Sequence, residues 1–172
     1  DDGELRMRYA MILRKKQKFE KTMEQVNILC EKFPENLSYQ AQKASEIMQN
    51  GDHGGAINLF DDILEKNPFN FSVLTSKGHA QKTFGKTERA IKSYQSAYQV
   101  KQDHGEAIFS LSNLKTYSFT KNELNIMRQQ LKRVDLTLQD KTYFHFALAQ
   151  GCDAIGESDE AFLHLDRGNK LK

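Results

Sequence analysis

The chain has 172 residues, 38% of them hydrophobic and 28% charged, and 25 basic residues against 23 acidic ones leave a formal charge of +2. Such a balance is not typical of nucleic-acid-binding proteins, and no apolar run approaches the roughly 18 residues that a membrane-spanning helix needs. Its two cysteines lack a paired spacing, which favours a reducing compartment and predicts a cytoplasmic protein. We therefore expect a partner that is neither nucleic acid nor membrane.

A single repeat period, set by the interval between Pro34 and Pro68, organises the sequence. Small residues recur at the same interval, where one helix must approach its neighbour closely: Ala10, Ala44, Gly78 and Ser112. Repeats of this length bury their apolar faces only by stacking on one another. Since strand signals are also missing, the pattern predicts an all-α solenoid of about five antiparallel helix pairs in a single domain, residues 1–172.

The first three pairs are predicted over residues 3–36, 37–70 and 71–104. Within the first pair, helices are expected from Glu4 to Lys15 and from Phe19 to Lys32. Proline cannot continue a helix, so Pro34 and Pro68 end the first two pairs. The second pair is expected to turn over residues 51–55, which hold three glycines, and the third at Gly85.

The last two pairs are predicted over residues 105–138 and 140–172. In the fourth, Thr120 followed by Glu123 is the pattern of a capping box, which predicts a helix from about Lys121 to Val134. In the fifth, Asp140 is expected to cap a helix ending at Ala154. A second helix is expected after the turn at Gly156, from Asp159 to Leu171, with these residues facing the preceding helix: Ala161, Phe162, Leu165 and Gly168.

These repeats resemble the tetratricopeptide (TPR) family. The second pair carries the family's small, aromatic and proline positions at Ala44, Ala56, Phe60 and Pro68, and the third carries Leu74, Gly78, Ala90, Tyr94 and Ala97. The resemblance implies a right-handed superhelix that acts as a protein–protein interaction scaffold and binds a partner protein or peptide in its concave groove. By the family's geometry, the partner-binding groove is lined by Met11, Met48, His79, Lys82, Phe109, Asn113 and Phe146.

A narrower resemblance in the last two pairs is to the N-terminal repeat domains of bacterial TPR-containing sulfotransferases. It is carried by residues 111–115, 144–149 and 160–171, above all by the ending Gly-Asn-Lys-Leu at 168–171. It implies, as the alternative function, an accessory domain whose catalytic sulfotransferase domain follows Lys172. The chain opens on Asp1 rather than methionine, so we expect it to be part of a longer protein. We expect the end of the last helix to contact that domain, or a second copy in a homodimer.

Catalytic chemistry is not expected in residues 1–172 themselves. No strand–loop–helix that could cradle a phosphosulfate donor is present, so no cofactor is predicted. The histidines lack zinc-ligand spacing. His145 and Cys152 could share a helix face, but a zinc site would need two further ligands. We therefore interpret both as packing residues and predict no metal. The basic residues around the first turn, Arg14, Lys15, Lys16, Lys18 and Lys21, are either an ordinary solvated surface or a patch for an anionic partner.

Overall fold

The computed structural model describes residues 2–172, which form ten α-helices and no strand. The helices are α1 (Asp2–Lys15), α2 (Phe19–Lys32), α3 (Leu37–Gln49), α4 (His53–Lys66), α5 (Phe71–Thr83), α6 (Thr87–Val100), α7 (Gly105–Ser112), α8 (Lys121–Gln130), α9 (Leu138–Ala154) and α10 (Ser158–Leu171). The predicted all-helical repeat fold is confirmed. Within the described residues, each helix is too short or too polar to cross a membrane.

Contacts within the chain divide it into two compact units. The first ends at Lys86 and contains α1–α5, and the second runs from Thr87 to Lys172 and contains α6–α10. In the first unit, each helix packs against the next one along the chain. In the second, α6 packs against α7, and α9 packs against α7, α8 and α10. The expectation that residues 1–172 act as a single domain stays a prediction.

The repeat period reappears in the backbone of the turns. Gln17, Gly51 and Gly85 follow one another at this period and have φ angles of 56°, 92° and 79°, each at the turn between the helices of a pair. Gly156, at the turn between α9 and α10, has a φ of 81°. A left-handed conformation is natural for glycine but costs another residue roughly 1–2 kcal/mol. Gln17 therefore occupies the turn-glycine position of the first pair, which the sequence pattern did not reveal.

The predicted turn over residues 51–55 is too long. Asp52 is the N-cap of α4 and accepts a hydrogen bond from the backbone N–H of Gly55 at 2.8 Å, so His53, Gly54 and Gly55 already belong to the helix. A Cβ at Gly55 would lie 2.3 Å from the Asp52 carboxylate. A side chain at this position would therefore have to displace the capping carboxylate, which folds back over the glycine.

The boundaries of α8 and α9 also differ from the prediction. The capping box is confirmed, since Thr120 accepts from the N–H of Glu123 and the Glu123 carboxylate accepts from the N–H of Thr120. However, α8 ends at Gln130 rather than Val134, whose side chain is 97% exposed and has nothing to pack against. The N-cap of α9 is Thr137 and not Asp140, because the Thr137 hydroxyl accepts the hydrogen bond from the Asp140 N–H.

In the first unit, α3, α4 and α5 share one apolar core. Its fully buried members include Ala44, Phe60 and Ile63, with Val73 and Ala80 contributed by α5. An ion pair outside this core joins α1 to α3: Arg14 donates to the Glu46 carboxylate at 2.9 Å, and Glu46 is only 2% exposed. Arg14 is therefore occupied within the fold, which leaves the lysines of its basic turn exposed at positions 15, 16 and 18.

In the second unit, the core is built around α9. Phe144 and Leu148 of α9 are fully buried, as are Tyr94 of α6, Ile108 of α7 and Leu124 of α8. Large apolar side chains from four helices thus form the interior of this unit.

The predicted inner face of α10 is partly wrong. Ala161 and Gly168 are buried as expected, but Phe162 is 73% exposed and Leu165 is 45% exposed. The residue between the two small ones that turns inward is His164, which is 5% exposed. Because residues three and four apart share a helix face, the inner stripe runs through 161, 164 and 168, and the two large apolar residues lie beside it.

Candidate functional site

An aromatic cluster joins α7 to α9. The ring of Phe109 stacks on Tyr143 with centroids 5.1 Å apart, and it lies 6.1 Å from the ring of Phe146. Tyr143 and Phe146 are three residues apart, so they occupy the same face of α9. Gly105 permits the approach of α7, since a Cβ there would lie 2.8 Å from the Asp140 carbonyl oxygen. Its N–H also donates to the Asp140 carboxylate at 2.9 Å.

These rings form the wall of an open hollow of about 500 Å³. The lining residues are Phe109, Leu138, Gln139, Thr142, Tyr143, Phe146, Leu171 and Lys172. Leu138 is 60% exposed at the mouth, and the Gln139 amide donates to the Tyr143 hydroxyl at 3.1 Å and holds it at the rim. A concave apolar surface with a few polar groups at its edge is suited to hold an apolar side chain of a ligand. We call it the aromatic hollow.

Of the predicted groove residues in the second unit, Phe109 and Phe146 therefore come together. Asn113 does not join them: it lines a separate, more polar hollow with Ser112, Lys115 and Gln150. Its side-chain amide donates to the Phe109 carbonyl oxygen at 2.8 Å, at the C-cap of α7. Asn113 thus contributes to ending a helix, and a role in binding a partner stays a prediction.

The predicted groove residues of the first unit differ in exposure. Met11 is 51% exposed on α1 and Lys82 is exposed in the last turn of α5. Met48 is half-buried and packs against the core shared by α3–α5, and His79 is half-buried on α5. Methionine at such places suits adaptable apolar contact, but Met48 already has a packing role. Their membership of one binding groove stays a prediction.

Six of the residues that line the aromatic hollow were missed by the groove prediction, among them Tyr143 and Leu171. Tyr143 lies one helical turn before Phe146, so the helical spacing of aromatics in α9 was a usable signal. Leu171 reaches the hollow from the end of α10, far beyond Phe146 in the chain, and no local pattern indicated that contact.

An arginine that the sequence did not single out joins α8 to α10. Arg128 donates to both oxygens of the Glu160 carboxylate at 2.7 and 2.9 Å and to Glu157 at 2.9 Å. These hydrogen bonds hold the pKa of the Glu160 carboxyl below its usual range. Cys152, Glu157 and Glu160 place ligand atoms within 4.8 Å of one another, as a metal site would, but the Arg128 guanidinium already lies against all three. Its charge takes the place that a metal ion would need.

The two residues weighed as metal ligands have different partners. His145 contacts His164 on α10, with the two Nδ1 atoms 2.8 Å apart, whereas the Cys152 thiol lies 3.5 Å from an Arg128 nitrogen. Both are buried, as expected of packing residues.

Comparison with known proteins identifies the fold. No protein-family model matches the sequence, and no curated protein matches it. Among solved structures, MamA from Desulfovibrio magneticus RS-1 (residues 41 to the end) has a TM-score of 0.64 and 13% identity, covering 99% of this chain and 95% of that one. A second MamA structure has a TM-score of 0.60 and 14% identity, covering 98% of this chain and 91% of that one.

MamA from AMB-1 is similar over 98% of this chain and 78% of its own, with 18% identity and a TM-score of 0.54. At such identities these similarities report on fold alone. MamA is a TPR-like helical-repeat protein, which supports the predicted type of fold; these neighbours add nothing to the sulfotransferase resemblance. The chain therefore has an all-helical repeat fold of the TPR type.

Proposed function

We propose that this chain is a protein-binding scaffold rather than an enzyme, and that it holds an apolar segment of a partner protein in the aromatic hollow. The observation that carries the proposal is the stack of Phe109 on Tyr143 beside Phe146, half-buried and open to a ligand. Aromatic residues supply much of the binding energy at protein interfaces, because they bury a large area with few rotatable bonds.

The dimensions and chemistry of the hollow limit its ligand. A volume of about 500 Å³ suits one or two bulky side chains rather than a whole domain. Lys172 and Gln139 are the lining residues able to donate hydrogen bonds from long polar side chains, and they lie among apolar walls. The ligand we propose is a short peptide segment with an aromatic or branched aliphatic anchor.

Selection from a displayed library of random peptides tests this proposal. Peptides would be selected on the intact chain and then measured against Leu138→Glu, which places a charge at the mouth of the aromatic hollow. Leu138 is exposed at the first position of α9, where an acidic residue suits the helix dipole, so folding should be preserved. We expect the variant to weaken binding by about tenfold or more.

Val134→Glu is the matched control, because Val134 is 97% exposed and does not line the aromatic hollow. It should leave peptide affinity unchanged. Equal affinity of the selected peptides for the intact chain and for Leu138→Glu would contradict the proposal. So would a library that yields no anchored consensus.

The alternative proposal, an accessory domain ahead of a sulfotransferase domain, rests on the resemblance of residues 160–171. The structure offers a packing reason for one of them: a Cβ at Gly168 would lie 2.9 Å from the Phe146 ring. Glycine at this position is then explained without a following domain. The gene sequence beyond Lys172 tests this alternative directly, and a sulfotransferase domain there would favour it.

A further inference from the structure

The fourth helix pair keeps the repeat period but has a shortened first helix. The helices α4, α6 and α8 begin at positions that follow one another at this period, and so do α3, α5 and α7. Helices α3 and α5 have 13 residues each, whereas α7 has 8 and ends at Ser112. Residues 113–117 therefore lie outside the helix, although their counterparts 45–49 and 79–83 complete α3 and α5. Because the period is kept, this stretch is helix that has unwound rather than an inserted loop.

Side-chain contacts hold the unwound segment in place. The Tyr117 hydroxyl donates a hydrogen bond to the Glu123 carboxylate and accepts one from the Gln95 amide at 3.2 Å. The Tyr117 ring meets the Phe119 ring edge-on with centroids 5.1 Å apart, and Phe119 is only 8% exposed. Gly151 of α9 makes room for this packing, since a Cβ there would lie 3.3 Å from the Phe119 ring. The segment is therefore a fixed part of the fold and not a frayed helix end.

A hollow of about 370 Å³ lies between this segment and the last part of α9. Residues 112–115 and 117–119 line one side of it, and Gln150, Gly151 and Ala154 line the other. This is the more polar of the two hollows on α7 and α9, and we call it the polar hollow. The unwinding of α7 provides one of its two walls.

The polar hollow contains hydrogen-bond donors that the fold does not use. The backbone N–H groups of Lys115 and Ser118 would bond to earlier carbonyl oxygens in a continuous helix, but among the described residues they have no acceptor. The side chains of Lys115, Ser118 and Gln150 also lack a partner within residues 2–172. Lys115 is the one charged residue among the described lining residues. The polar hollow thus combines a free cation with free N–H groups and has no acid to neutralise them.

We propose that the polar hollow binds a carboxylate group of a peptide ligand, through the Lys115 ammonium and the free N–H groups beside it. Hydrogen bonds from a cation or a backbone N–H to a carboxylate are shorter and stronger than those between neutral groups. The carboxylate comes from an Asp or Glu side chain or from the free C-terminus of a chain. Because the polar hollow is separate from the aromatic hollow, this inference goes beyond the proposed function.

The two hollows nevertheless share two helices. Phe109 and Phe146 line the aromatic hollow, and Asn113 and Gln150 line the polar hollow one helical turn later on α7 and α9. A turn rises by roughly 5.4 Å, and an extended peptide covers about 3.3 Å per residue. If the proposed function holds and one peptide reaches both hollows, its acidic residue should therefore lie about two or three positions from its apolar anchor. A selected consensus with an anchor but no acid at this distance would contradict that arrangement.

Nuclear magnetic resonance with short peptide probes tests the carboxylate directly. The probes are a capped Ala-Glu-Ala peptide, its uncharged Ala-Gln-Ala counterpart and an acetylated Ala-Ala-Ala peptide with a free C-terminal carboxylate. On the intact, isotope-labelled chain, an acidic probe should move the backbone N–H signals of Lys115 and Ser118, with half-saturation at about 1–10 mM. The Gln probe should leave them in place. Movement with the Glu probe assigns the site to an acidic side chain, and movement with the free C-terminus alone assigns it to a chain end.

Two variants of the lining and one control accompany the probes. Lys115→Met removes the ammonium but keeps an unbranched side chain, and Gln150→Glu is nearly isosteric and adds an acid to the polar hollow. Both positions are exposed, so both variants should keep the thermal melting curve of the intact chain. Each should weaken binding of the acidic probe by about tenfold, measured from the Ser118 signal. Lys132→Met is the matched control, because Lys132 is exposed and lies outside both hollows. It should leave the binding unchanged.

The inference is overturned if no acidic probe moves the Lys115 and Ser118 signals of the intact chain. It is also overturned if the Gln probe moves them as far, or if Lys115→Met binds the acidic probe as well as Lys132→Met does. Leu138→Glu, which affects the aromatic hollow, should bind the acidic probe as the intact chain does. Failure of this inference and failure of the proposed function can therefore be told apart.

Discussion

The Nδ1 atoms of His145 and His164 lie 2.8 Å apart, buried between α9 and α10. One of these nitrogens must donate and the other accept, so at least the accepting ring has to be neutral. Burial is the main cause that lowers the pKa of His145 to about 4, with the nearby His164 and Arg167 adding to it. Burial also lowers the pKa of His164, although Glu160 opposes that shift. The pair therefore holds the last two helices together in its neutral form.

From this pair we predict that folding stability falls as the pH decreases below about 6.5. The unfolded chain binds protons on these histidines near pH 6.5, whereas folded His145 resists protonation until about pH 4. The stabilising effect is thus complete above pH 6.5 and is lost as the pH falls from 6.5 towards 4. Urea unfolding at a series of pH values measures it.

The double variant His145→Gln, His164→Gln is the comparison for this prediction. It should show a flatter dependence of the free energy of unfolding on pH between 6.5 and 4. An unchanged slope in the double variant would mean that the pair is not the source of the effect.

We next predict that Gly105→Ala destabilises the second unit. The added Cβ would lie 2.8 Å from the Asp140 carbonyl oxygen and 2.9 Å from its Cα, and this backbone is held in α9. The expected loss is about 1–3 kcal/mol, measured as a change in the free energy of unfolding in urea. Separating α7 from α9 should also weaken peptide binding in the aromatic hollow.

Gly54→Ala is the matched control, since its Cβ would meet no atom closer than 3.8 Å. Alanine is favoured over glycine in a helix by up to about 1 kcal/mol, so this variant should be neutral or more stable. Equal losses in both variants would indicate a general intolerance of alanine rather than a clash with α9.

A third prediction concerns Arg128, which donates to two carboxylates from α8. Arg128→Met leaves Glu157 and Glu160 close together without their shared cation, and we expect it to destabilise the chain by about 1–3 kcal/mol. Chemical denaturation gives the loss. Arg128→Lys should recover only part of it, because a lysine cannot bind one carboxylate with two parallel hydrogen bonds.

Arg133→Met is the control for Arg128, because Arg133 pairs with Asp135 and Asp103 at an exposed site. Such surface pairs contribute little and are screened by salt, so the change should be barely measurable. If the two arginine variants lost similar stability, the Arg128 contacts would be no more important than an ordinary surface pair.

A fourth prediction is that peptide binding depends only weakly on salt. The walls of the aromatic hollow are apolar and Lys172 is the charged side chain in its lining. Raising the salt concentration from about 50 to 200 mM should therefore change the dissociation constant by less than about threefold. Complexes whose contacts neutralise many phosphates lose far more affinity over this range. Isothermal calorimetry on a selected peptide measures this. A steep loss of affinity would instead indicate that the peptide binds to the lysines at positions 15, 16 and 18.

Local sequence signals predicted most helices well. The bounds of α2 agree with the prediction at both ends, and the capping box at Thr120 and Glu123 is present as expected. Two of the differences occurred where two capping residues compete, as with Asp140 and Thr137, and where a residue other than glycine occupies a turn-glycine position, as with Gln17. Capping and turn propensities alone do not show which of two nearby residues ends the helix, because that depends on hydrogen bonds formed in the folded chain.

The repeat can be recognised from the amino-acid sequence alone, because a fixed period of small and large residues is a local pattern that stacking must satisfy. Which side chains meet across helices depends instead on how the helices pack. The Phe109–Tyr143 stack, the His145–His164 pair and the contacts of Arg128 each join residues on different helices, and all depend on helix rotation. The rotation of α10 leaves Phe162 in water and His164 in the core, and that rotation is set by packing against α9 rather than by any motif within α10.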